Sequence, residues 1–241
     1  MQSIDKVPGI LEKKEEFLRF TDVSPAVIRR LPRYHRYLGD LLRAGKMRIS
    51  SKELAAMMGV TASQIRQDLN CFGGFGQQGY GYNVKYLHGK IGELLGTNEG
   101  YRAVIIGSGN LGRALAATHM FDRRGVTRVA MFDTNQSIIG TEIYGIPVYH
   151  VDALGAFCRE HKVEIGVLTV PKEAAKSVAD VLVKNGVKGI WNFANMELKV
   201  EDESVVVENI HLGDSLMTLC YEVKNRLSES VEEKNEDIVH I

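Results

Sequence analysis

From Pro25 the chain reads PAVIRRLPRYHRYLGDLLRAG, and Val27, Ile28, Leu31, Tyr34, Leu38, Leu41 and Leu42 recur at helical spacing. Gly45 supplies a stop, while Pro32 predicts either a kink or a later start. Ser50-x-x-Glu53 and Thr61-x-x-Gln64 are capping boxes. They open two short helices, KELAAMM, closed by Gly59, and ASQIRQDLNCF. In the second, Ile65, Leu69 and Phe72 can face a core, which leaves Ser63, Gln64, Arg66, Gln67 and Asn70 outward. Long helix, short helix, glycine-containing turn and second short helix form a helix-turn-helix pattern. GGFGQQGYGYNV then alternates glycine with aromatic and polar residues, which predicts a tight hairpin, the wing of a winged helix.

At Tyr101 the period changes. YRAVIIG reads as a buried strand, Gly107-Ser-Gly109-Asn-Leu-Gly112 follows it, and RALAATHMF continues as a helix. RVAMFD is the next strand and ends in Asp133. IPVY, DALGAFCREH, EIGVLTVP, KEAAKSVADVLVKNG, KGIWNFA and ESVVVENI keep the alternation, which predicts a doubly wound parallel sheet. DSLMTLCYEVKNRL is a final helix with Leu212, Leu216, Leu219, Cys220, Val223 and Leu227 on one stripe, and SESVEEKNEDIVHI reads as an acidic, frayed tail. The expected organisation is an extension of unassigned role over 1–23, a winged-helix domain over 24–90, a Rossmann domain over 91–212, a dimerisation helix over 213–227 and the tail over 228–241.

At 241 residues, with 44% hydrophobic and 25% charged positions, the chain is long enough for two domains with real cores. Its longest charge-free stretch, Leu69–Val84, is 16 residues with five glycines, short of the roughly 20 apolar residues of a membrane span. The N-terminus lacks the apolar core of a secretory signal. Three cysteines without a CxxC pair suit a reducing cytoplasm, and seven histidines without HxxxH or HExxH spacing predict no metal site. The zero net charge is unevenly spread. Residues 24–90 hold eleven Lys/Arg against Asp40, Glu53 and Asp68, a local charge of +8. A basic helix-turn-helix predicts double-stranded DNA as the partner.

The chemistry divides accordingly. Ser63, Gln64, Arg66 and Gln67 can face base edges, Arg29, Arg30 and Arg48 can meet phosphates, and Gln77, Gln78 and Tyr80 lie on the wing. In the second domain Gly107 makes the tight turn, Gly109 admits a pyrophosphate and Gly112 permits close helix–strand packing. Ser108, Asn110 and Leu111 complete a loop whose backbone N–H groups can hold that pyrophosphate. Asp133, 21 residues beyond Gly112, is placed to accept ribose hydroxyls and repel a 2′-phosphate. Thr134 and Asn135 offer no arginine, so NAD(H) is expected over NADP(H). Thr169, Val170 and Pro171, after a later strand, are expected across the same crevice.

These motifs, in this order, resemble the Rex redox-sensing transcriptional repressors of bacteria. The segments AVIRRLPRYHRYLGDLL, VTASQIRQDLNCFGGFGQQGYGYNV, IIGSGNLGRALA, VLTVPKEAA and KGIWNFA carry the likeness, from about Pro25 to Leu227. The resemblance implies a homodimer that binds palindromic operators, a C-terminal helix swapped between subunits, and release from DNA when NADH closes the dimer. It also exposes departures. Gln67 and Gln77-Gln78 stand where the family usually has basic residues. Thr118 and His211 stand where it has a Tyr beside the nicotinamide and an Asp that pairs with an arginine matched by Arg36.

Two other readings fit the glycine motif. An NAD-dependent dehydrogenase with an accessory basic domain is one, but the only Tyr-x-x-x-Lys spacing, Tyr86 to Lys90, lies upstream of the motif. A CoA- or nucleotide-binding regulatory module is the other, since the fold does not dictate its ligand.

Overall fold

The computed structural model describes residues 23–71, 76–77 and 81–239, with side chains over 23–71 and 81–228. The chain forms two compact units that divide at Asn98/Glu99.

In the first unit, α1 (Pro25–Arg43) begins at Pro25, where the Ser24 hydroxyl accepts from the Ala26 N–H, and continues through Pro32. Pro32 leaves the Ile28 carbonyl without its helical donor. The buried face of Val27, Leu31, Tyr34 and Leu38 keeps the helix in register across it. β1 (Arg48–Ile49) leads to α2 (Ser51–Met58), whose Ser50/Glu53 capping box forms in both directions. α3 (Ala62–Asn70) starts on Thr61, whose hydroxyl accepts from the Gln64 N–H, but Gln64 does not complete the expected box. Its amide turns instead toward Asp68. β2 (Gly76–Gln77) and β3 (Gly81–Asn83) form an antiparallel hairpin, and β1 pairs with β3 to give the order β1-β3-β2. α4 (Val84–Leu94) closes the unit with Val84, Leu87 and Ile91 fully buried. The expected boundary at 90/91 is therefore corrected: it would cut α4 between Lys90 and Ile91, a member of this core.

The second unit is a seven-stranded sheet in the order β10-β9-β8-β4-β5-β7-β6. Its strands are β4 (Tyr101–Ile106), β5 (Val126–Asp133), β6 (Glu142–Ile143), β7 (Ile146–His150), β8 (Ile165–Leu168), β9 (Gly189–Asn192) and β10 (Val206–Asn209). All neighbours run parallel except β6, an edge strand that the alternation did not predict. It folds back on β7 through Tyr144 and Gly145, both at positive φ, which suits a two-residue hairpin turn. α6 (Leu154–His161) and α7 (Lys172–Lys184) pack Leu154, Cys158, Ala175, Ala179 and Leu182 into one core cluster. α5 (Asn110–Ala117) contributes Ala116 to the other. The path leaves β4 toward β5 and later returns beside β4 as β8, which places a topological switch point between those two strands.

α8 runs from Leu212 to Val239. The acidic segment expected to fray is thus helical almost to its end. Between Gly213 and Val239 no glycine or proline stops it, and Glu and Lys are good helix formers.

Candidate functional site

The glycine loop leaves β4 at Gly107, with φ +97, where a Cβ would lie 2.6 Å from the Thr169 carbonyl oxygen. A Cβ at Gly112 would lie 2.0 Å from the Gly107 carbonyl oxygen, so α5 can start this close to β4 only with glycine there. Gly109 differs: nothing lies within 4 Å of its missing Cβ. It is the N-cap of α5 and makes no side-chain cap bond, so the first-turn N–H groups of Asn110 and Leu111 are offered to a ligand. Thr169 Oγ1 sits 3.0 Å from the Ile106 oxygen and 2.8 Å from the Gly107 oxygen, tying the end of β8 to the loop. The Arg113 Nε donates to the Ser108 carbonyl at 2.8 Å and braces the loop from its own helix.

Asp133 ends β5. Its Oδ2 accepts from the Ser108 N–H at 2.5 Å and its Oδ1 from the Asn135 N–H at 2.9 Å. Burial pushes this carboxyl up, but the backbone N–H bonds outweigh it and hold the group below the usual carboxylate range. At neutral pH it is an ionised acceptor.

A crevice of about 900 Å3 opens over these strand ends. It brings together Gly107, Gly109, Asp133, Thr169, Val170 and Pro171 from the expected set, while Ser108, Asn110, Leu111 and Gly112 are not among its lining residues. Sequence reading missed the apolar wall of Val151, Leu154, Ala174, Val178 and Val181, and also Asp152. Asp152 lies 3.1 Å from His150 Nδ1. The wall residues read as ordinary core positions, so no signal marked them; Asp152, a carboxylate two residues beyond the end of β7, was marked by its position alone. The lining contains two carboxylates and no Lys or Arg. The open face at Gly109, the uncapped α5 and the apolar wall fit an adenosine diphosphate group, and the charge suits a ribose without a 2′-phosphate.

In the first unit Ser63, Arg66 and Gln67 are exposed on α3, as are Arg29 on α1 and Arg48 on β1. The Arg66 Nη1 donates to Ser51 Oγ at 3.1 Å. Arg30 is not the free surface cation expected of a phosphate contact. Its Nε and Nη2 both donate to buried Asp68, each at 2.7 Å. The Tyr34 hydroxyl donates to the same carboxylate at 2.6 Å and Gln64 Nε2 at 2.7 Å. Burial pushes Asp68 up, yet the Arg30, Tyr34 and Gln64 hydrogen bonds hold it below its ordinary value. This hub was missed by sequence reading, although Arg30/Tyr34 and Gln64/Asp68 each have i,i+4 spacing. Gln78 and Tyr80 lie outside the described residues, as does Phe72; Gln77 is described only as backbone of β2.

Of the residues expected to sense the cofactor, Arg36 is exposed with its Cζ 5.6 Å from the Tyr37 ring centroid. Thr118 caps α5 at its C-terminus, its hydroxyl donating to the Leu115 carbonyl at 2.9 Å, and it does not line the crevice. His211 follows β10, with Nε2 3.2 Å from Glu197 Oε1. Along α8, Leu212, Leu216, Leu219, Val223 and Leu227 are exposed, as are Met217 and Tyr221. Among the described residues no cluster of three potential metal ligands occurs, and no helix is long and apolar enough to cross a membrane.

Residues 22–70 match a family model described as a putative DNA-binding protein N-terminus, and residues 98–196 one described as a CoA binding domain. A redox-sensing transcriptional repressor Rex of Clostridium botulinum strain Hall is 55% identical over 198 residues, 82% of this chain and 94% of its own. The chain belongs to the Rex family. A second Rex, from Clostridium botulinum strain Alaska E43, is 52% identical over 202 residues, 84% of this chain and 96% of its own. The crystal structure of RSP in complex with beta-NAD+ and operator DNA matches with a TM-score of 0.80 at 49% identity, over 88% of this chain and 98% of that one. RSP in complex with beta-NADH matches with a TM-score of 0.79 at 47% identity, over 88% and 99%. The likeness to Rex thus spans both units.

Proposed function

We propose that this chain is a transcriptional repressor that binds operator DNA through α3 and the β2–β3 wing, and loosens its hold when NADH occupies the crevice. One observation carries this: a single chain joins a winged helix to a crevice lined without Lys or Arg at the glycine loop, and Rex relatives match it over most of its length. The backbone N–H groups of Gly109–Gly112 hold the pyrophosphate; those of Gly107 and Ser108, expected to join them, already donate to the Phe132 carbonyl and to Asp133. Asp133 takes the adenine ribose, so NAD(H) is the cofactor rather than NADP(H). Val151, Leu154, Val170 and Val178 pack against the adenine. NAD(H) acts here by occupancy, in two redox forms of different charge and shape at the nicotinamide.

The repressor works as a homodimer in the cytoplasm. The exposed α8 stripe recurs at three- and four-residue steps, which suits packing on a partner subunit, and a two-fold axis would present two winged helices to a palindromic operator. Discrimination between NADH and NAD+ is a difference of affinities. Thr118 has no ring to stack on a nicotinamide, and His211 is a poor acceptor for Arg36 and has Glu197 beside it. Both cofactor forms therefore bind, with a smaller affinity ratio than in relatives that carry Tyr and Asp, and release from DNA is graded. Operator mobility-shift titrations with NADH, NAD+ and NADPH test this, with operator release ranked NADH first and NADPH last.

A further inference from the structure

The orientation of one glutamine amide on α3 is fixed from behind, and that has a consequence for sequence reading. Asp68 is 1% exposed and accepts four hydrogen bonds: Oδ2 from Arg30 Nε and Tyr34 Oη, Oδ1 from Arg30 Nη2 and Gln64 Nε2. A carboxylate has about four acceptor positions, so this one is saturated and donates nothing. Gln64 must therefore turn its NH2 toward Asp68. The alternative rotamer would place the amide oxygen 2.7 Å from a carboxylate oxygen, an acceptor against an acceptor.

With one amide hydrogen bonded to Asp68, Gln64 keeps its carbonyl oxygen and one N–H. Among the described residues no hydrogen bond engages that oxygen. Gln64 is also the third residue of α3, in the first turn of the second helix of the helix-turn-helix, and such N-terminal residues contact base edges in the major groove. The remaining acceptor and donor match one base edge. Adenine offers an N6 amino donor beside an N7 acceptor. Guanine offers two acceptors, O6 and N7, and would oppose the amide oxygen. Thymine offers only an acceptor and cytosine only a donor.

We propose that Gln64 reads an adenine in each operator half-site, its carbonyl oxygen accepting from N6 and its second amide hydrogen donating to N7, with Asp68 as the positioning residue that sets this polarity. Arg30 and Tyr34 serve the same end by anchoring Asp68 to α1, so the recognition helix and its amide are registered together. The proposal rests on the DNA-binding reading above and assigns a base to one residue of it.

The test selects operators for the full-length protein from a duplex pool with randomised half-sites, then ranks single-base variants by affinity. A bidentate contact carries about 5- to 150-fold discrimination against a wrong base. Gln64→Ala is expected to lose discrimination of that size at one adenine position while the ranking at other positions stands. Asp68→Asn, which can donate to a flipped Gln64, is expected to admit guanine at that same position. Because either variant can also weaken the fold, wild-type protein is titrated in parallel with the selected operator carrying purine or 7-deazaadenine at that adenine. Loss of the N6 amine or of N7 should weaken wild-type binding and leave Gln64→Ala binding unchanged. Unaltered base ranking in Gln64→Ala, or wild-type binding insensitive to both analogues, overturns the assignment to Gln64 and leaves the DNA reading intact. A wild-type protein that selects no sequence at all overturns both.

Discussion

The Asp133 carboxylate accepts a 2.5 Å hydrogen bond from the Ser108 backbone N–H, which joins the end of the second core strand to the middle of the glycine loop. One group thus shapes the glycine loop and lines the crevice proposed for the cofactor. Asp133→Ala removes a charged hydrogen-bond partner worth about 1.5–3 kcal/mol. It should therefore weaken NADH by roughly 10- to 150-fold and narrow the advantage over NADPH, as read by calorimetric titration. A wild-type chain that prefers NADPH contradicts the assignment.

The Asp68 hub makes a signed prediction for pH. A carboxyl held below its ordinary value stabilises the fold fully above its unfolded value of about 3.9. That contribution is lost as pH falls through the lower folded value. Denaturant unfolding of the wild type should show stability falling over this acid range, and Asp68→Asn should flatten that limb. An equally steep limb in the variant would place the titration elsewhere.

The basic face makes a prediction for salt. Arg66 is exposed on α3, and its loss should lower the slope of log affinity against log salt by about 1. Gln67→Lys should raise it by about 1 if that position faces a phosphate. Arg30→Ala should act differently, through stability, because its guanidinium is engaged with Asp68. Equal slopes for the Arg66 variant and the wild type would remove Arg66 from the interface.

The exposed stripe of α8 makes a prediction for assembly. Deleting 213–241 should give monomers that bind an operator weakly, because the two half-sites are then engaged separately. Sedimentation equilibrium decides this. An intact dimer after the deletion means the stripe is not the dimer contact.

Much of this was legible in the sequence. The glycine loop, Asp133 and the two capped helices have short-range signatures, because turns and caps are set by local chemistry. What escaped depends on contacts distant along the chain. Asp68 looks like a surface acid on a polar helix until α1 brings Arg30 and Tyr34, 38 and 34 residues away, onto it. β6 is two residues long and has no period to detect. The α4 boundary was misplaced because the basic run stops at Lys90 while the apolar face continues through Ile91. Charge marked a partner, and burial marked the unit.

The most direct measurement titrates the full-length protein on its selected operator with NADH and with NAD+, beside the double variant His211→Asp/Thr118→Tyr. The account predicts that NADH lowers operator affinity more than NAD+ does, and that the double variant widens the difference between the two forms. Operator affinity unchanged at saturating NADH would contradict it.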